Sequence, residues 1–567
     1  MRLRHLTLVA LLLALLLVHG AAQAADRHRA AVAPRPNVVV VWSDDQTLEE
    51  MRFLPKTQAL IARQGVSFTN YFDSFSLCCP ARATFLTGQY AHSNGVQGNT
   101  LPNGGYYKLD STRTLPVWLQ RAGYYTALVG KYLNQYGTRN QTEVPPGWSD
   151  WHGAVDPTTY RYYNYTLNEN GRLTSYCANA APECYSTDLY AEKAVEIIRR
   201  RAPSAQPFFL WVTPLAPHAG QPRDPDDPPN LATPSPPSRY ANRYTAEPLP
   251  MPPSFNEADV SDKPRGIRNR PLIGAARVNA IRENYQQRAE SLLAVDDLVE
   301  KIVNALRAGG ELDNTLLMFS SDNGFFHGEH RVPNGKVLLY EPSVHLPLLI
   351  RGPGVPRNQR RTQLAVSADW APTMLAAARA SATGRVLDGT SLWPLILDPG
   401  KELGRDIVLE NGAGARNFKA LRTLHYKYAE YANGDRELYD LIRDPSELTN
   451  VVADPRNTAL QAILATRLAR VRDCHGAACR ERPDARLVVH TPRSGRCYRS
   501  PVSLEVRGVG VERVVFQTNG RSRLADARAP FVATLRVASS RNRVRVRVSS
   551  VGDRLVTVDR TLTICRR

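Results

Sequence analysis

Four nearly continuous apolar runs, each ending abruptly in charged or amide residues, constrain the fold of this chain more than any other feature. Asn37 to Trp42 runs into Ser43-Asp44-Asp45-Gln46, and Tyr125 to Val129 into Gly130-Lys131. Phe208 to Thr213 leads to Pro217-His218, and Thr315 to Ser320 to Ser321-Asp322-Asn323-Gly324. Strands covered on both faces need such runs. Helix-like stretches lie between them, at Leu54 to Gln64, Ser186 to Arg201 and Glu283 to Ala308. The alternation predicts an α/β fold with a mainly parallel central sheet flanked by helices. In such a sheet ligands bind beyond the carboxyl ends of the strands, so the four polar clusters are expected to converge.

The 567 residues exceed what one such domain needs. The expected organisation is a secretory signal over 1–24, a large α/β domain over 25–372, a smaller α+β subdomain over 373–475 and a basic β module over 486–567. The signal rests on a basic start, an apolar run from Leu6 to Val18 and Ala22-Gln23-Ala24 as a cleavage site. That run is too short for a membrane span, and no later window is long enough, so an exported protein without a transmembrane anchor is expected. Residues 217–272 are proline-rich and leave directly after His218, where they could wall a site. In the α+β part the pattern changes to short strands and turns, including Arg422 to Tyr431 and Glu437 to Pro445, followed by a helix around Thr458 to Arg472. The final segment alternates with period two, as in Arg543-Val-Arg-Val-Arg-Val548, which predicts a small antiparallel sandwich with arginine on its solvent face.

Net charge bears on partners only once it is divided along the chain. Of the formal +19, the last 82 residues carry +13, from 18 Arg, no Lys and five acids. A basic tail can hold an anionic polymer, although 62 Arg against 10 Lys over the whole chain also reads as a compositional bias. The near-neutral body gives no reason to expect nucleic acid. The eight cysteines group as Cys177 with Cys184, Cys474 with Cys479 and Cys497 with Cys565, pairings that export would permit. Cys78 and Cys79 are left over, and adjacent cysteines rarely bridge each other.

Cys78-Cys79-Pro80-Ala81-Arg82, followed by Leu86-Thr87-Gly88, resembles the type I sulfatases, whose Cys-x-Pro-x-Arg signature directs oxidation of its first cysteine to formylglycine. The resemblance covers roughly residues 35–455. With Trp42 to Gln46, Gly130-Lys-Tyr-Leu-Asn134, Asp322-Asn-Gly324, Gly328-Glu-His330 and Lys336, it is closest to the glucosamine-6-sulfatase and arylsulfatase branch. It implies an alkaline phosphatase-like fold and a secreted sulfuric ester hydrolase acting on a sulfated carbohydrate or an aryl sulfate. A formylglycine-generating enzyme is the implied partner for Cys78. The basic tail lies outside this likeness and resembles an Ig-like module.

A sulfate ester repels an attacking oxygen, so its site must neutralise the non-bridging oxygens and position a strong nucleophile. Asp44, Asp45, Asp322 and Asn323 offer only oxygen ligands, which suits calcium, or magnesium second, rather than zinc. The resemblance implies that the modified Cys78 joins them at the ion, and that one hydroxyl of its hydrated aldehyde attacks sulfur while the second later expels sulfate. It also implies that Arg82 and Lys131 hold the diol and that His218 and Lys336 contact sulfate. His218 is the first candidate for protonating the leaving oxygen, because imidazole can be charged near neutral pH; Lys336 could do so only with a lowered pKa. Many sulfatases carry His where Leu133 stands here, which leaves the elimination step open. Asn134 and His330 are candidate rim residues.

Each element also has an ordinary structural reading. Asp44-Asp45 could cap a helix, Asp322-Asn323-Gly324 could form a turn, Cys78 could be a buried thiol and His218 a loop histidine. Their occurrence together at strand ends, with the signature between, favours a site. His92, His327 and His330 are open between rim and structural positions, whereas Tyr340-Glu341 and Asp369 are expected in hydrogen-bond networks. Two other functions compete: a phosphonate monoester or phosphodiester hydrolase of the same superfamily, and a non-catalytic glycan- or wall-binding protein.

Overall fold

The computed structural model describes residues 34–177, 184–225, 227–401, 403–412, 417–480, 486–507, 511–526, 531–536, 541–550 and 556–565. The expected signal segment lies outside them. Strands β1 (Asn37–Ser43), β2 (Val66–Phe72), β3 (Tyr125–Gly130), β4 (Asp150–Ala154), β5 (Tyr165–Glu169) and β6 (Arg172–Tyr176) share one sheet with β7 (Phe208–Thr213), β8 (Thr315–Ser321), β9 (His345–Arg351), β10 (Gln359–Arg361) and β11 (Ala365–Val366). The order is β10-β2-β9-β8-β1-β7-β3-β4-β5-β6, with β11 beside β2. From β8 to β4 the strands run parallel. Antiparallel pairs lie outside this centre, β9 with β8 and β2, and β5 with β4 and β6.

The alternation within β1 shows why the centre is covered twice. Val38, Val40 and Trp42 enter one core with helices α1 (Cys78–Thr87), α2 (Leu115–Arg121) and α5 (Trp370–Ala378). Val39 and Val41 enter a second core with α3 (Ser186–Arg201) and α4 (Ala275–Ala308). Burying each such side chain contributes about 1.5–3 kcal/mol, and a polar residue anywhere in this run would forfeit it. Helix α4 starts earlier than the expected Glu283: its first two turns already place Val278 and Ala280 against the second core and bury Ile281 in it. Helix α5 spans the boundary expected at 372–373, since Trp370 and Met374 both fill the first core.

Register levels the strand ends. Ser43 lies opposite Ser321, and Gly130 opposite Thr213. Gly130 has φ 110°, and a Cβ there would stand 2.3 Å from the Thr213 carbonyl oxygen. Only glycine allows the chain to turn so that the Lys131 N–H donates to that oxygen at 3.0 Å.

The proline-rich segment has little regular structure but is pinned to the second core's helices. Arg239 makes a two-pronged pair with Asp188, and the Asn284 and Gln286 amides donate to the carbonyls of Ala232, Thr245 and Glu247.

Beyond the main sheet, β12 (Ile407–Asn411), β13 (Phe418–Arg422), β14 (Tyr426–Tyr431) and β15 (Arg436–Asp440) form an antiparallel sheet. Helix α6 (Thr458–Val471) packs on it. As expected of short strands and turns, Arg422 to Tyr431 holds the end of β13, a turn and β14; the Thr423 hydroxyl accepts the backbone N–H groups of His425 and Tyr426 and closes that turn.

The last module holds a three-stranded and a four-stranded antiparallel sheet around Leu504, Val514, Phe516, Val544 and Val546. Disulfides join Cys474 to Cys479 and Cys497 to Cys565. The expected Cys177–Cys184 bridge is not formed. Cys177 has a left-handed backbone, and its thiol turns to donate to the Cys184 carbonyl oxygen instead.

Candidate active site

Helix α1 begins at Cys78, after Leu77 in extended backbone. Pro80 falls within the first turn, where a missing N–H leaves no intrahelical bond unmade. Cys78 is 1% exposed, with Sγ 3.6 Å from Asp44 Oδ1 and 2.9 Å from Lys336 Nζ. Burial pushes its thiol up to about 12. An unaltered Cys78 therefore stays protonated and is a weak nucleophile.

The ends of β1 and β8 bring Asp44, Asp45, Asp322 and Asn323 together. All four are buried. Asp45 has a left-handed backbone, φ 67°, and its N–H donates to Asp322 Oδ1 at 3.0 Å. Arg82, fully buried on α1, holds the two strand ends together: Nε donates to Asp322 Oδ2 at 2.9 Å and Nη2 to Asp44 Oδ2 at 3.3 Å. Nη1 donates to the Lys131 carbonyl at 2.8 Å. The Lys131 ammonium pairs with Asp44, and that of Lys336 with Asp45. Burial alone would raise both aspartates, but Lys131, His218 and Arg82 around Asp44, and Lys336 and His218 around Asp45, hold them below the ordinary carboxylate value. Both lysines are pushed up by these carboxylates despite their burial and remain charged.

His218 reaches the same cluster from the loop after β7. Its Nδ1 donates to the Ala219 carbonyl at 2.6 Å, which leaves Nε2, 3.6 Å from Asp45 Oδ2, as the exchangeable nitrogen. Burial lowers its pKa, with Asp45 and Asp44 opposing and Lys131 and Lys336 reinforcing the shift. The neutral imidazole is thus favoured at neutral pH, against the expectation of a readily charged one. Asn134 also sits beside Lys131, through Tyr160. The Asn134 amide donates to the Tyr160 hydroxyl at 2.5 Å, and Lys131 Nζ lies 4.9 Å from the Tyr160 ring centroid.

Not every candidate joins this cluster. His330 is buried and pairs with Glu257, and it lines a separate cavity of about 560 Å³ together with His327 and Phe325. Cys78, Lys131, His218 and Lys336 do not line that cavity. His92 is held between Glu410 and the Cys474 carbonyl. Tyr340 donates to Glu437, Glu341 pairs with Arg422 and Lys427, and Asp369 with Arg405, as expected of structural networks.

Sequence reasoning missed Arg288, Glu50 and Tyr160. Arg288 on α4 pairs with Glu50 at 2.6 and 2.8 Å. It also donates to the carbonyls of Asp45 and Pro217, at 2.6 and 3.3 Å. One guanidinium thus ties the Asp45 turn to the His218 loop. No local motif marks it, because its partners come from two distant segments, Asp45 to Glu50 and Pro217.

The donor set fits a hard cation. Carboxylates of Asp44 and Asp45 come within 4.8 Å of each other and of Cys78 Sγ and a His218 nitrogen. Asn323 Oδ1 is buried without a hydrogen-bond partner. A buried acceptor of this kind beside three carboxylates fits an oxygen-preferring ion such as calcium or magnesium. The Cys78 thiol would add a softer donor only while it keeps its sulfur.

Three cationic side chains around one helix-borne residue suit an ester hydrolase acting on anionic rather than neutral esters. The family described as Sulfatase matches residues 36–380, and the C-terminal region described for N-sulphoglucosamine sulphohydrolase matches 328–474. The chain belongs to the sulfatase family and is a sulfuric ester hydrolase. It is 34% identical to an arylsulfatase of Volvox carteri over 79% of this chain and 76% of that protein. It is 32% identical to N-acetylglucosamine-6-sulfatase of Homo sapiens, over 80% and 87% respectively. In fold it resembles a solved structure described in complex with its substrate D-glucosamine-2-N,6-O-disulfate, with TM-score 0.63 and 23% identity over 77% of this chain and 97% of that one.

Arg82→Met should expose how far the cluster depends on one buried cation. Leaving Asp44 and Asp322 with an unmatched buried charge is expected to lower the unfolding free energy by about 3–5 kcal/mol, read from urea denaturation midpoints.

Proposed function

We propose that this sulfatase releases inorganic sulfate from a sulfated sugar of the glucosamine 6-sulfate type, with aryl sulfates as smaller substrates. The observation that carries this reading is the ring of Arg82, Lys131, Lys336 and His218 around residue 78. The likeness to N-acetylglucosamine-6-sulfatase supports the sugar class. Cys78 is taken to be the residue converted to formylglycine, which its unreactive thiol and the Cys78-x-Pro80-x-Arg82 pattern both support. Because Cys78 is buried, a formylglycine-generating enzyme would have to meet this segment before the chain folds.

Asp44, Asp45, Asp322 and Asn323 would hold a calcium ion, with magnesium as second choice. When bound, the ion supplies Lewis acidity, and the hydrated aldehyde of residue 78 supplies the nucleophilic oxygen. The chain's own side chains do the rest. Arg82 and Lys131 offset the charge of Asp44 and orient residue 78. Lys336, charged at all working pH values, and His218 take the non-bridging sulfate oxygens. His218 Nε2 is the proton donor to the departing sugar oxygen, since its Nδ1 is committed to Ala219.

Export is proposed from the leader-like start and the two disulfides formed. No helix among the described residues is long and apolar enough to cross a membrane. The basic β module is proposed to retain an anionic polymer. Along its strand Arg541–Ser550, Val544, Val546 and Val548 are buried while Arg543 and Arg547 are exposed.

Cys78→Ala is expected to lower turnover of 4-nitrophenyl sulfate at least about 10³-fold, while a peptide spanning residues 72–82 of the unsubstituted enzyme should weigh about 18 Da less than its unmodified sequence. An unshifted peptide from active enzyme would refute the assignment. If His218 must be protonated to act, its lowered pKa means that kcat/KM on a sugar sulfate falls as pH rises, with a midpoint below 6.5. His218→Gln should abolish that limb. For the module, exchanging Arg543 and Arg547 for Glu should move elution from heparin to lower salt without changing turnover of the small ester; unchanged elution would count against polymer retention.

A further inference from the structure

Asn134 and Tyr160 form a polar pair beside the catalytic cluster that the roles above leave unused. Asn134 is only 8% exposed, and its Oδ1 is buried with no hydrogen-bond partner. An unsatisfied buried acceptor costs about 1–3 kcal/mol, which a donor brought by a ligand would relieve. The Tyr160 oxygen already accepts the Asn134 amide, so its own O–H remains to be given. Burial raises the phenol's pKa, so the proton is retained.

The position of the pair points to the substrate. Tyr160 is partly exposed, and its ring lies under the Lys131 ammonium and 5.1 Å from the His218 ring, centroid to centroid. Its carbonyl accepts from Gln221 N at 2.9 Å, and the neighbouring Tyr162 hydroxyl donates to the His218 carbonyl at 2.7 Å. Tyr160 is thus held against the loop that carries the proposed proton donor. One free donor and one free acceptor, neither charged, match a group that both gives and receives one hydrogen bond. That group is a hydroxyl.

Building on the sulfated-sugar reading, we infer that Asn134 and Tyr160 form a sugar-recognition subsite. Tyr160 donates to, and Asn134 Oδ1 accepts from, a ring hydroxyl of the hexose that bears the sulfate. An aryl sulfate presents only C–H edges there. The pair therefore sets specificity rather than the chemical step.

The test uses full-length, formylglycine-bearing enzyme on N-acetylglucosamine 6-sulfate and on cyclohexylmethyl sulfate, a primary sulfate with neither ring oxygen nor hydroxyls. Tyr160→Phe and Asn134→Ala should each lower the ratio of kcat/KM for the sugar to that for the carbocycle by about 10-fold or more. Equal losses on both esters would mean that the pair merely braces Lys131, and would overturn the subsite. The unsubstituted enzyme provides a check free of folding effects, since either the 3-deoxy or the 4-deoxy sugar sulfate should lose a similar factor. Retention of full kcat/KM by both deoxy compounds would also overturn it. Failure of the unsubstituted enzyme on the sugar, with the carbocycle still hydrolysed, would instead refute the substrate reading on which the subsite rests.

Discussion

Charge balance at the ends of two parallel strands governs the rest of this structure. Asp44 and Asp322 leave neighbouring strands in register and are fully buried, where unpaired carboxylates would be prohibitively costly. Arg82 spans both from the first helix after β2, and Lys131 arrives from the next parallel strand but one. The same ion pairs that make burial tolerable therefore set the distance between residue 78 and the carboxylates. Stability and reactivity share one set of contacts.

That shared origin explains the opposite behaviour of Lys336 and His218. Burial is the largest single influence on Lys336, but Asp45 with Cys78, Asp44 and Asp322 together outweigh it, so it stays a fixed positive charge. His218 sits between the same carboxylates and two ammonium groups, and burial leaves it the readily exchanging base. A charge that never leaves and a proton that leaves easily suit binding of an anion and release of an alcohol, respectively. Arg288 keeps them in relation by holding the Asp45 turn and the His218 loop through their carbonyls.

The contrast between readable and unreadable features follows sequence distance. The Cys78 signature is legible as a contiguous motif, and Asp44-Asp45 and Asp322-Asn323 as short polar strings at the ends of apolar runs. Tyr160 lies in a short 3₁₀ turn among other tyrosines and acquires meaning only from Asn134, Lys131 and His218. His330 belongs to a recognisable string as well, yet its imidazole is spent on Glu257 beside a different cavity.

From the residues alone came the α/β class, the four central parallel strands, the alternating tail and the Cys78 signature. Apolar periodicity and a contiguous motif are local properties, and they survive without coordinates. Only the folded chain decided which charges meet, because register and crossover place Asp44, Arg82, Lys131, Asp322 and Lys336 together from five separate stretches. It also decided that Cys177 turns to a carbonyl rather than to a second sulfur, and that Asn134 keeps one acceptor in reserve. Those outcomes depend on direction and burial, which a linear string does not carry.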